Sequence, residues 1–407
     1  MKKYVIIGGG VASVGCIEGI RSVDKEGEIT LVARENVLPY CRPLISYYLE
    51  GKTDFTKMNY RPDGFYKENG CKVVFAEAKG VNVEEKTVLI NDESLPYDKL
   101  CAATGSTPFV PPFEGLDTVP AKTSFTTIKD AAFLDENLST TSRVLIVGAG
   151  LIGLKCAEGI VERTASVTVC DLSDRALSSV LDAECAARMQ KALEEKGVTF
   201  FLKNSVKKFD GNKATLQDGS EVVFDVLVTA VGVRAETSLF KEIVTTERGI
   251  VVDLKQTSSN PSIFAAGDCC QGYDASIGSK RVLAIFPNAY QQGYVAGVNM
   301  AGGDIKYETG MPLNAVGFFG IHALTAGSYD GETIEEKDEN HIKRLFVKDG
   351  RLVGFILIGE FARAGILTAL IRDKTPLDEI DWECEKKLPS LSGFSAKKRK
   401  TILGGVL

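Results

Sequence analysis

Two short glycine-rich segments are the residues best suited to chemistry, because each could wrap its backbone around a phosphate group. The first is Gly8-Gly9-Gly10-Val11-Ala12-Ser13, and the second is Gly148-Ala149-Gly150-Leu151-Ile152-Gly153. In such a turn the first glycine permits the bend, the second lets a pyrophosphate approach, and the third lets helix and strand pack closely. The phosphates then lie at a helix N-terminus, where free N–H groups face them. In the first segment Ser13 replaces the third glycine.

A strand, a helix and a second strand are expected around each turn. Short apolar runs flank the turns, and apolar residues recur at helical spacing after the first one. The pattern predicts strands at residues 3–7, 28–33, 143–147 and 166–170, with helices beginning near Val11 and over 154–162. Two such βαβ units imply two dinucleotides, which we expect to be a resident flavin dinucleotide and an exchanging nicotinamide dinucleotide.

An acid at the end of the second strand of such a unit accepts the ribose hydroxyls. In the second unit this acid is Asp171, whose carboxylate would bond a free 2′-hydroxyl and repel a 2′-phosphate. This favours NADH over NADPH, although Arg175 nearby weakens the preference. In the first unit the strand ends at Ala33-Arg34-Glu35, which displaces the acid to Glu35.

Further motifs follow the two turns. They are Tyr97-Asp98-Lys99-Leu100 with Ala103-Thr104-Gly105-Ser106-Thr107-Pro108, then Val228-Thr229-Ala230-Val231-Gly232-Val233-Arg234, and Ile263-Phe264-Ala265-Ala266-Gly267-Asp268. With the turns, they resemble the motifs of the FAD-dependent pyridine nucleotide oxidoreductases over about residues 1 to 310. The resemblance implies an α/β fold with two Rossmann-like dinucleotide-binding domains, one inserted in the other, and a small C-terminal α+β domain.

The segment Leu38-Pro39-Tyr40-Cys41-Arg42-Pro43-Leu44-Ile45-Ser46 narrows the resemblance. It is similar to ferredoxin- and rubredoxin-reducing members and to the flavin portion of assimilatory nitrite reductase. In that subgroup the preceding acid contacts the adenosine ribose and the arginine reaches the FAD phosphates, which implies these roles for Glu35 and Arg42. Tyr47 stands where ferredoxin-reducing relatives often carry a lysine beside the flavin.

Two more segments compare with the family. Lys155 stands where glutamate is common near the nicotinamide, and it could meet a phosphate, pair with Glu158 or be solvated. The segment Ile285-Phe286-Pro287-Asn288-Ala289-Tyr290-Gln291-Gln292-Gly293 resembles the helix start that faces the flavin pyrimidine ring. Helix N-terminal N–H groups there could stabilise negative charge on reduced flavin.

The resemblance also implies a set of cofactor contacts, in which Asp268 bonds a ribityl hydroxyl of FAD. The implied FAD contacts are Gly8, Gly10, Val11, Ala12, Ser13, Glu35, Arg42, Ala78, Ala103, Thr104, Gly105, Gly267, Asp268, Phe286 and Pro287. The implied NAD contacts are Gly148, Gly150, Leu151, Ile152, Gly153, Asp171 and Gly232.

The cysteines bear on the electron acceptor. Disulfide reductases of this class carry a Cys-x-x-x-x-Cys pair after the first turn, and this chain lacks it. Cys41 is the only cysteine near the place where single-cysteine members carry their sulfur, although the alignment puts that sulfur at about Pro43. Arg42 could activate a Cys41 thiolate, and the alternative is an ordinary loop or core cysteine.

We therefore expect an NADH-dependent FAD oxidoreductase that passes electrons to a small redox protein such as rubredoxin or ferredoxin. Two alternatives stay open. One is an NADH oxidase or disulfide/persulfide reductase that uses Cys41, and the other is a flavin electron-transfer subunit of a larger metalloenzyme. Beyond Cys41, no catalytic residue is assigned, because the cofactors carry the chemistry and the protein orients them.

Composition restricts the other classes of function. The net charge of −6 gives no reason to expect nucleic-acid binding. No apolar stretch approaches the roughly 20 residues that cross a bilayer, so we expect a cytoplasmic protein. The ten cysteines lack metal-site spacing, which predicts no metal. The basic run Lys397-Lys398-Arg399-Lys400 is either a solvated tail or a weak docking patch.

The order of the motifs predicts interleaved domains. The flavin domain takes residues 1–111 and 246–310, and the nicotinamide domain takes 112–245. A C-terminal domain over 311–380 would cap the flavin or mediate a homodimer, and 381–407 would form a tail. Within the C-terminal domain, Asp349-Gly350 predicts a hairpin, and residues 361–371 are predicted to form a helix.

Overall fold

The computed structural model describes residues 1–359 and 361–402, which divide into two compact units. The first unit holds Met1–Tyr273 and Lys280–Tyr307. The second holds Asp274–Ser279 and the described residues from Glu308 onward. The last five residues of the predicted tail, 403–407, lie outside the described residues.

The described helices and strands are numbered in chain order. The helices are α1 (Val11–Val23), α2 (Ile45–Leu49), α3 (Phe65–Glu68), α4 (Ile128–Asn137), α5 (Leu151–Ile160), α6 (Ala183–Glu194), α7 (Phe286–Met300), α8 (Ala364–Arg372), α9 (Trp382–Glu385) and α10 (Ala396–Ile402). Short 3-10 turns lie at Arg42–Leu44, Phe55–Lys57, Leu116–Thr118, Val161–Arg163, Leu377–Glu379 and Leu391–Gly393. The strands are β1 (Lys3–Ile7), β2 (Glu28–Ala33), β3 (Cys71–Phe75), β4 (Ala78–Asn82), β5 (Thr87–Ile90), β6 (Glu93–Pro96), β7 (Lys99–Ala102), β8 (Ser106–Pro108), β9 (Lys122–Thr123), β10 (Arg143–Val147), β11 (Ser166–Asp171), β12 (Val198–Leu202), β13 (Val206–Asp210), β14 (Lys213–Leu216), β15 (Glu221–Val223), β16 (Val226–Thr229), β17 (Val233–Ala235), β18 (Ile250–Val251), β19 (Ile263–Ala265), β20 (Cys270–Asp274), β21 (Ser279–Val282), β22 (Leu313–Phe318), β23 (Ile321–Gly327), β24 (Glu332–Lys337), β25 (Ile342–Lys348) and β26 (Arg351–Ile358).

Two five-stranded sheets of the first unit have the same architecture. Their strand orders are β3-β2-β1-β7-β19 and β12-β11-β10-β16-β9, and all neighbouring strands are parallel. The central strands β1 and β10 are buried except for their first residues, as expected for strands covered on both faces. The predicted pair of Rossmann-like folds is confirmed.

The chain passes between these sheets twice. Strand β9 joins the second sheet, and β19 later completes the first sheet beside β7. The crossing segments also meet, because β8 and β17 form an antiparallel pair. One Rossmann-like fold is thus inserted in the other, while the boundaries 111/112 and 245/246 stay a prediction.

Helices α1 and α7 cross in the first unit with their backbones in contact. A Cβ atom on Gly15 would lie 2.2 Å from the carbonyl oxygen of Tyr290, and one on Gly293 would lie 2.0 Å from that of Ala12. Only glycine permits so close an approach. The crossing therefore fixes the start of α7 beside the start of α1, where the first glycine turn ends.

The second unit contains an antiparallel sheet of order β22-β23-β26-β25-β24, against which α8 packs. The predicted hairpin is present, since Asp349 (φ 49°) and Gly350 (φ 67°) join β25 to β26 in left-handed conformations. The helix predicted over 361–371 instead runs over Ala364–Arg372, because Arg363 adopts a left-handed φ of 65°. Short helices α9 and α10 occupy part of the predicted tail.

Two absences concern the described residues alone. Within 1–359 and 361–402, no helix has the length and apolar character that a membrane span requires. The same residues contain no group of three His, Cys, Asp or Glu side chains that could hold a metal ion.

Candidate dinucleotide-binding site

The first glycine of each turn lies against the end of a neighbouring strand. Gly8 has φ +124° and Gly148 has φ +118°. A Cβ atom on Gly8 would lie 1.9 Å from the carbonyl oxygen of Ala103, and one on Gly148 would lie 2.3 Å from that of Ala230. Each of these glycines also donates its N–H to the neighbouring parallel strand at 2.8 Å. The two turns therefore share one backbone conformation.

The second glycine of each turn is the N-cap of the helix that follows. Gly10 precedes α1 and Gly150 precedes α5, both in extended conformations. Among the described residues, no side chain caps either helix, and no atom lies within 4 Å of a Cβ placed on either glycine. Among the described residues, the space beside each of these glycines is therefore unobstructed at the start of a helix, which fits the pyrophosphate of a dinucleotide.

The third position differs between the turns. A Cβ atom on Gly153 would lie 2.1 Å from the carbonyl oxygen of Gly148. In the first turn Ser13 is fully buried, and its hydroxyl donates to the carbonyl oxygen of Gly10 at 2.6 Å. The serine hydroxyl folds back into its own turn, so it leaves the phosphate-facing side unobstructed.

Asp171 is the last residue of β11 and lies at the mouth of the second turn. Its two carboxylate oxygens accept the N–H groups of Ala149 and Ser173, each at 2.7 Å. Arg175 donates to Asp174 at 2.7 Å and to the carbonyl oxygen of Leu181 at 3.2 Å. The carboxylate is therefore held in place by backbone groups, while the nearby guanidinium is engaged elsewhere.

Around the first glycine turn, Glu35 and Arg42 are bonded to each other, although they are expected to contact different parts of one cofactor. The Glu35 carboxylate pairs with the Arg42 guanidinium and accepts the Tyr40 hydroxyl at 2.9 Å. Arg42 also donates to the carbonyl oxygen of Thr126 at 2.9 Å. These contacts place an acid and an arginine together at the carboxyl end of β2.

Asp268 follows β19 at the same edge of the sheet. Burial raises the pKa of its carboxyl group, and a hydrogen bond from Ser106 at 2.9 Å together with the charge of Arg42 opposes that rise. Gly267 has φ +81°, and its N–H donates to the side-chain oxygen of Gln292 at 2.9 Å. A partly buried carboxylate with an acceptor to spare fits a ribityl hydroxyl.

The remaining predicted contacts lie at the edges of these elements. Ala103, Thr104 and Gly105 directly follow β7, and Val11 and Ala12 open α1. Phe286 and Pro287 begin α7, and Phe286 meets the Tyr60 ring edge-on at 5.3 Å between centroids. Ala78 is buried at the start of β4, Leu151 and Ile152 open α5, and Gly232 has φ +113°.

The activation of Cys41 by Arg42, one of the two alternatives that the sequence left open, is not found. Burial raises the pKa of its half-buried thiol, where a lowered value would be needed for a reactive thiolate. The reason is geometric, because the neighbouring Arg42 directs its guanidinium to Glu35 and Thr126.

Lys155 makes one of the three interactions that the sequence left open. It pairs with Glu158 on the same helix, and its ammonium lies 5.3 Å from the centre of the Tyr47 ring. Two polar residues of the site, Tyr40 and Ser106, were missed as contacts. Both lie inside the sequence motifs, but Tyr40 also bonds Ile128 and Ser106 bonds Asp268, which are far away in sequence.

Comparisons with known proteins agree with this geometry. A family model described as pyridine nucleotide-disulphide oxidoreductase matches residues 2–293. The chain is 33% identical to the NADH-dependent phenylglyoxylate dehydrogenase subunit epsilon of Aromatoleum evansii, over 92% of both chains. It is 31% identical to the nitric oxide reductase FlRd-NAD(+) reductase of Klebsiella pneumoniae, over 66% of this chain and 72% of that protein. Its fold resembles the solved covalent putidaredoxin reductase–putidaredoxin complex, with a TM-score of 0.87, 22% identity, and coverage of 99% of this chain and 98% of the other.

Proposed function

The chain belongs to the pyridine nucleotide-disulphide oxidoreductase family, and from that premise we propose that it passes electrons from NADH through FAD to a small redox protein. It is an FAD-dependent NAD(P)H oxidoreductase. The observation that carries the proposal is the pair of glycine turns, each of which opens a helix with unobstructed space beside its N-cap glycine among the described residues.

The proposed division of labour follows the side chains around each turn. Gly8 and Gly10 would hold the FAD pyrophosphate, Glu35 and Arg42 the ribose and phosphates, and Asp268 the ribityl chain. When bound, FAD would supply the redox chemistry, since it can accept one hydride, a proton with two electrons, from nicotinamide C4 to leave NAD⁺ and can later release the two electrons and the proton.

On the nicotinamide side, Gly148 and Gly150 would hold the pyrophosphate of the exchanging cofactor. Asp171 would accept the adenosine ribose hydroxyls, and its fixed carboxylate supports a preference for NADH. Arg175, which could bind the 2′-phosphate of NADPH, is instead bonded to Asp174 and to the carbonyl oxygen of Leu181.

The choice of acceptor rests on two supports. The chain lacks the paired redox cysteines of disulfide reductases, and the pKa of the Cys41 thiol is raised, so electrons are best delivered directly from the flavin. A relative at 31% identity, from Klebsiella pneumoniae, is named as a reductase that links FlRd, a partner of nitric oxide reductase, to NAD(+). We therefore favour rubredoxin or ferredoxin as the partner.

A second candidate function has its own support. The relative that matches over 92% of both chains is named as a subunit of a larger dehydrogenase. On that reading the chain is the flavin subunit that exchanges electrons with a partner enzyme bearing a metal centre.

Anaerobic reduction followed by acceptor screening separates the two candidates. A reductase of small carriers should be bleached by NADH and then reoxidised by rubredoxin or ferredoxin at catalytic rates. A flavin subunit should be bleached by NADH and stay reduced with both carriers and with oxygen. A protein that NADH does not bleach would contradict both.

The cysteine variants test the remaining alternative. Cys41→Ser should leave turnover with the preferred acceptor within about twofold, because a thiol with a raised pKa supplies little thiolate at neutral pH. Cys384→Ser, which changes an exposed cysteine of the second unit, is the matched control. Loss of turnover in Cys41→Ser alone would restore the thiol-dependent oxidase or disulfide/persulfide reductase.

A further inference from the structure

Helix α2 belongs to the segment proposed to hold FAD, yet it packs on α4 and α5, two helices of the second Rossmann-like fold. It follows Arg42 almost directly. Its neighbours are α4 and α5, and α5 is the helix that the second glycine turn opens. A single short helix therefore lies between the residues proposed for the two cofactors.

Two hydrogen bonds fasten the C-terminal end of α2 to Asp135 and Arg163, and a third joins these two residues to each other. The Tyr48 hydroxyl donates to Asp135 on α4 at 2.9 Å. Arg163, just after α5, donates to Asp135 and to the carbonyl oxygen of Leu49, both at 2.7 Å. An arginine at a helix C-terminus also meets the negative end of the helix dipole. We call Tyr48, Leu49, Asp135 and Arg163 the α2 clamp.

The segment that leads into α2 is fastened as well. Arg42 donates to the carbonyl oxygen of Thr126 at 2.9 Å, and the N–H of Ile128 donates to the Tyr40 hydroxyl at 2.9 Å. Residues 40–49 are thus attached at both ends to residues 126–163. The proposed FAD ligand Arg42 lies within this doubly attached segment.

The helices α2 and α5 also touch through a glycine. A Cβ atom on Gly159 would lie 3.1 Å from both the Leu49 Cβ atom and the Ser46 carbonyl oxygen. This is tighter than an ordinary contact, so a side chain here would push α2 away from α5 by a few tenths of an ångström. Close-packed contacts of this kind transmit such a displacement to their neighbours.

We propose that Asp135 and Arg163 are positioning residues, which act through α2 to set the separation between the FAD-holding segment and the nicotinamide turn. This inference rests on the proposed function. Transfer between two rings needs an approach of roughly 3–3.5 Å, and a misplacement of about 1 Å costs about 100-fold in rate. Loss of this half-exposed clamp should therefore slow flavin reduction by about tenfold.

The experiment is anaerobic stopped-flow reduction of the FAD-loaded full chain by saturating NADH. Asp135→Asn should lower the limiting rate constant of flavin reduction by about tenfold, with unchanged FAD content, NADH affinity and reoxidation by ferricyanide. Tyr48→Phe, which removes one hydroxyl, should give a smaller loss in the same direction and keeps the test intact if Asp135→Asn fails to fold.

The chain offers a matched control pair. Asp225 pairs with Arg143 at 2.8 Å, with side chains 38% and 45% exposed, against 38% and 36% for Asp135 and Arg163. In both pairs the arginine hydrogen bond lowers the pKa of the aspartate. Asp225→Asn should leave the rate constant within about twofold, because its bonds run to Arg143 at the start of β10 rather than to the α2 clamp.

A glycine pair tests the same idea by crowding. Gly159→Ala should slow flavin reduction although alanine favours helix formation, whereas Gly365→Ala on α8, where a Cβ meets nothing within 4 Å, should not. Wild-type reduction rates in both Asp135→Asn and Tyr48→Phe, or an equal loss in Asp225→Asn, would overturn the positioning role. A wild-type protein that NADH cannot bleach would instead contradict the proposed function itself.

Discussion

The first glycine turn presses Gly8 against the carbonyl oxygen of Ala103, and the second presses Gly148 against that of Ala230. In the part of the chain that the structure describes, both turns leave the N-terminus of the following helix without a side-chain cap. These shared features involve backbone alone. They explain why each half can accept a dinucleotide, but they do not distinguish one dinucleotide from another.

The side chains around the turns carry the distinction. Around the first turn the acid Glu35 is bonded to other side chains, Tyr40 and Arg42, and α7 crosses the following helix α1 with backbone contact. In the second half the acid Asp171 is bonded to backbone N–H groups. On the proposed assignment, we therefore expect the resident cofactor to be held by a network from several elements, and the exchanging cofactor to meet one preset carboxylate.

Alanine at the first glycine of each turn should have the largest effect on cofactor binding, and the effect should differ between the two turns. The left-handed φ values and the overlap with a carbonyl oxygen should cost more than about 3 kcal/mol at either position. We expect Gly8→Ala to purify without FAD. Gly148→Ala should keep its yellow colour and be reduced by NADH at least about 100-fold more slowly.

Absorbance at the flavin band, relative to protein, and stopped-flow reduction measure both variants. If Gly148→Ala lost the flavin while Gly8→Ala kept it, the assignment of the two turns would have to be exchanged.

Neutralising the two acids, Asp171 and Glu35, should have a smaller effect that also differs between the two turns. Asp171→Asn should lower the preference for NADH over NADPH about 10- to 100-fold, since hydrogen bonds to charged groups contribute about 1.5–3 kcal/mol. Glu35→Gln should leave that preference unchanged and weaken FAD retention. The ratio of kcat/KM for the two cofactors is the measurement, and a Glu35→Gln variant with an altered ratio would refute the division of roles.

Asp268 should show the smallest effect, through the pH dependence of stability. Its pKa is raised by burial, so the folded chain holds this proton more tightly than the unfolded chain does. The stabilisation that this proton gives to the folded chain is fully present when the pH is below 3.8, the ordinary pKa of the group. It is lost as the pH rises through the raised pKa of the folded chain. Asp268→Asn should therefore raise the Tm of the FAD-free protein at pH 7 by about 1–2 °C, with no gain near pH 3.

The same variant should bind FAD less tightly, which would show that the carboxylate is kept for function at some cost in stability. Thermal unfolding of FAD-free protein across pH 3–8 is the test. A wild-type protein as stable as Asp268→Asn at pH 7 would count against a desolvated carboxylate.

Local sequence patterns predicted both βαβ units, because glycine spacing and apolar runs act over a few residues. Helix α5 was predicted over 154–162 but runs over Leu151–Ile160, since Gly153 belongs to the helix and was interpreted as part of the turn. The pairing of Arg42 with Glu35 and Thr126 was not predicted. Such contacts join residues up to 84 positions apart, and only the packed fold brings them together.

If the chain carries electrons from NADH to FAD, two different dinucleotides must occupy the two turns. Anaerobic titration of the purified, FAD-supplied protein with NADH tests this directly. We expect one FAD per chain and full bleaching by one equivalent of NADH, with NADPH far less effective. A protein that stays colourless after exposure to FAD would contradict the account.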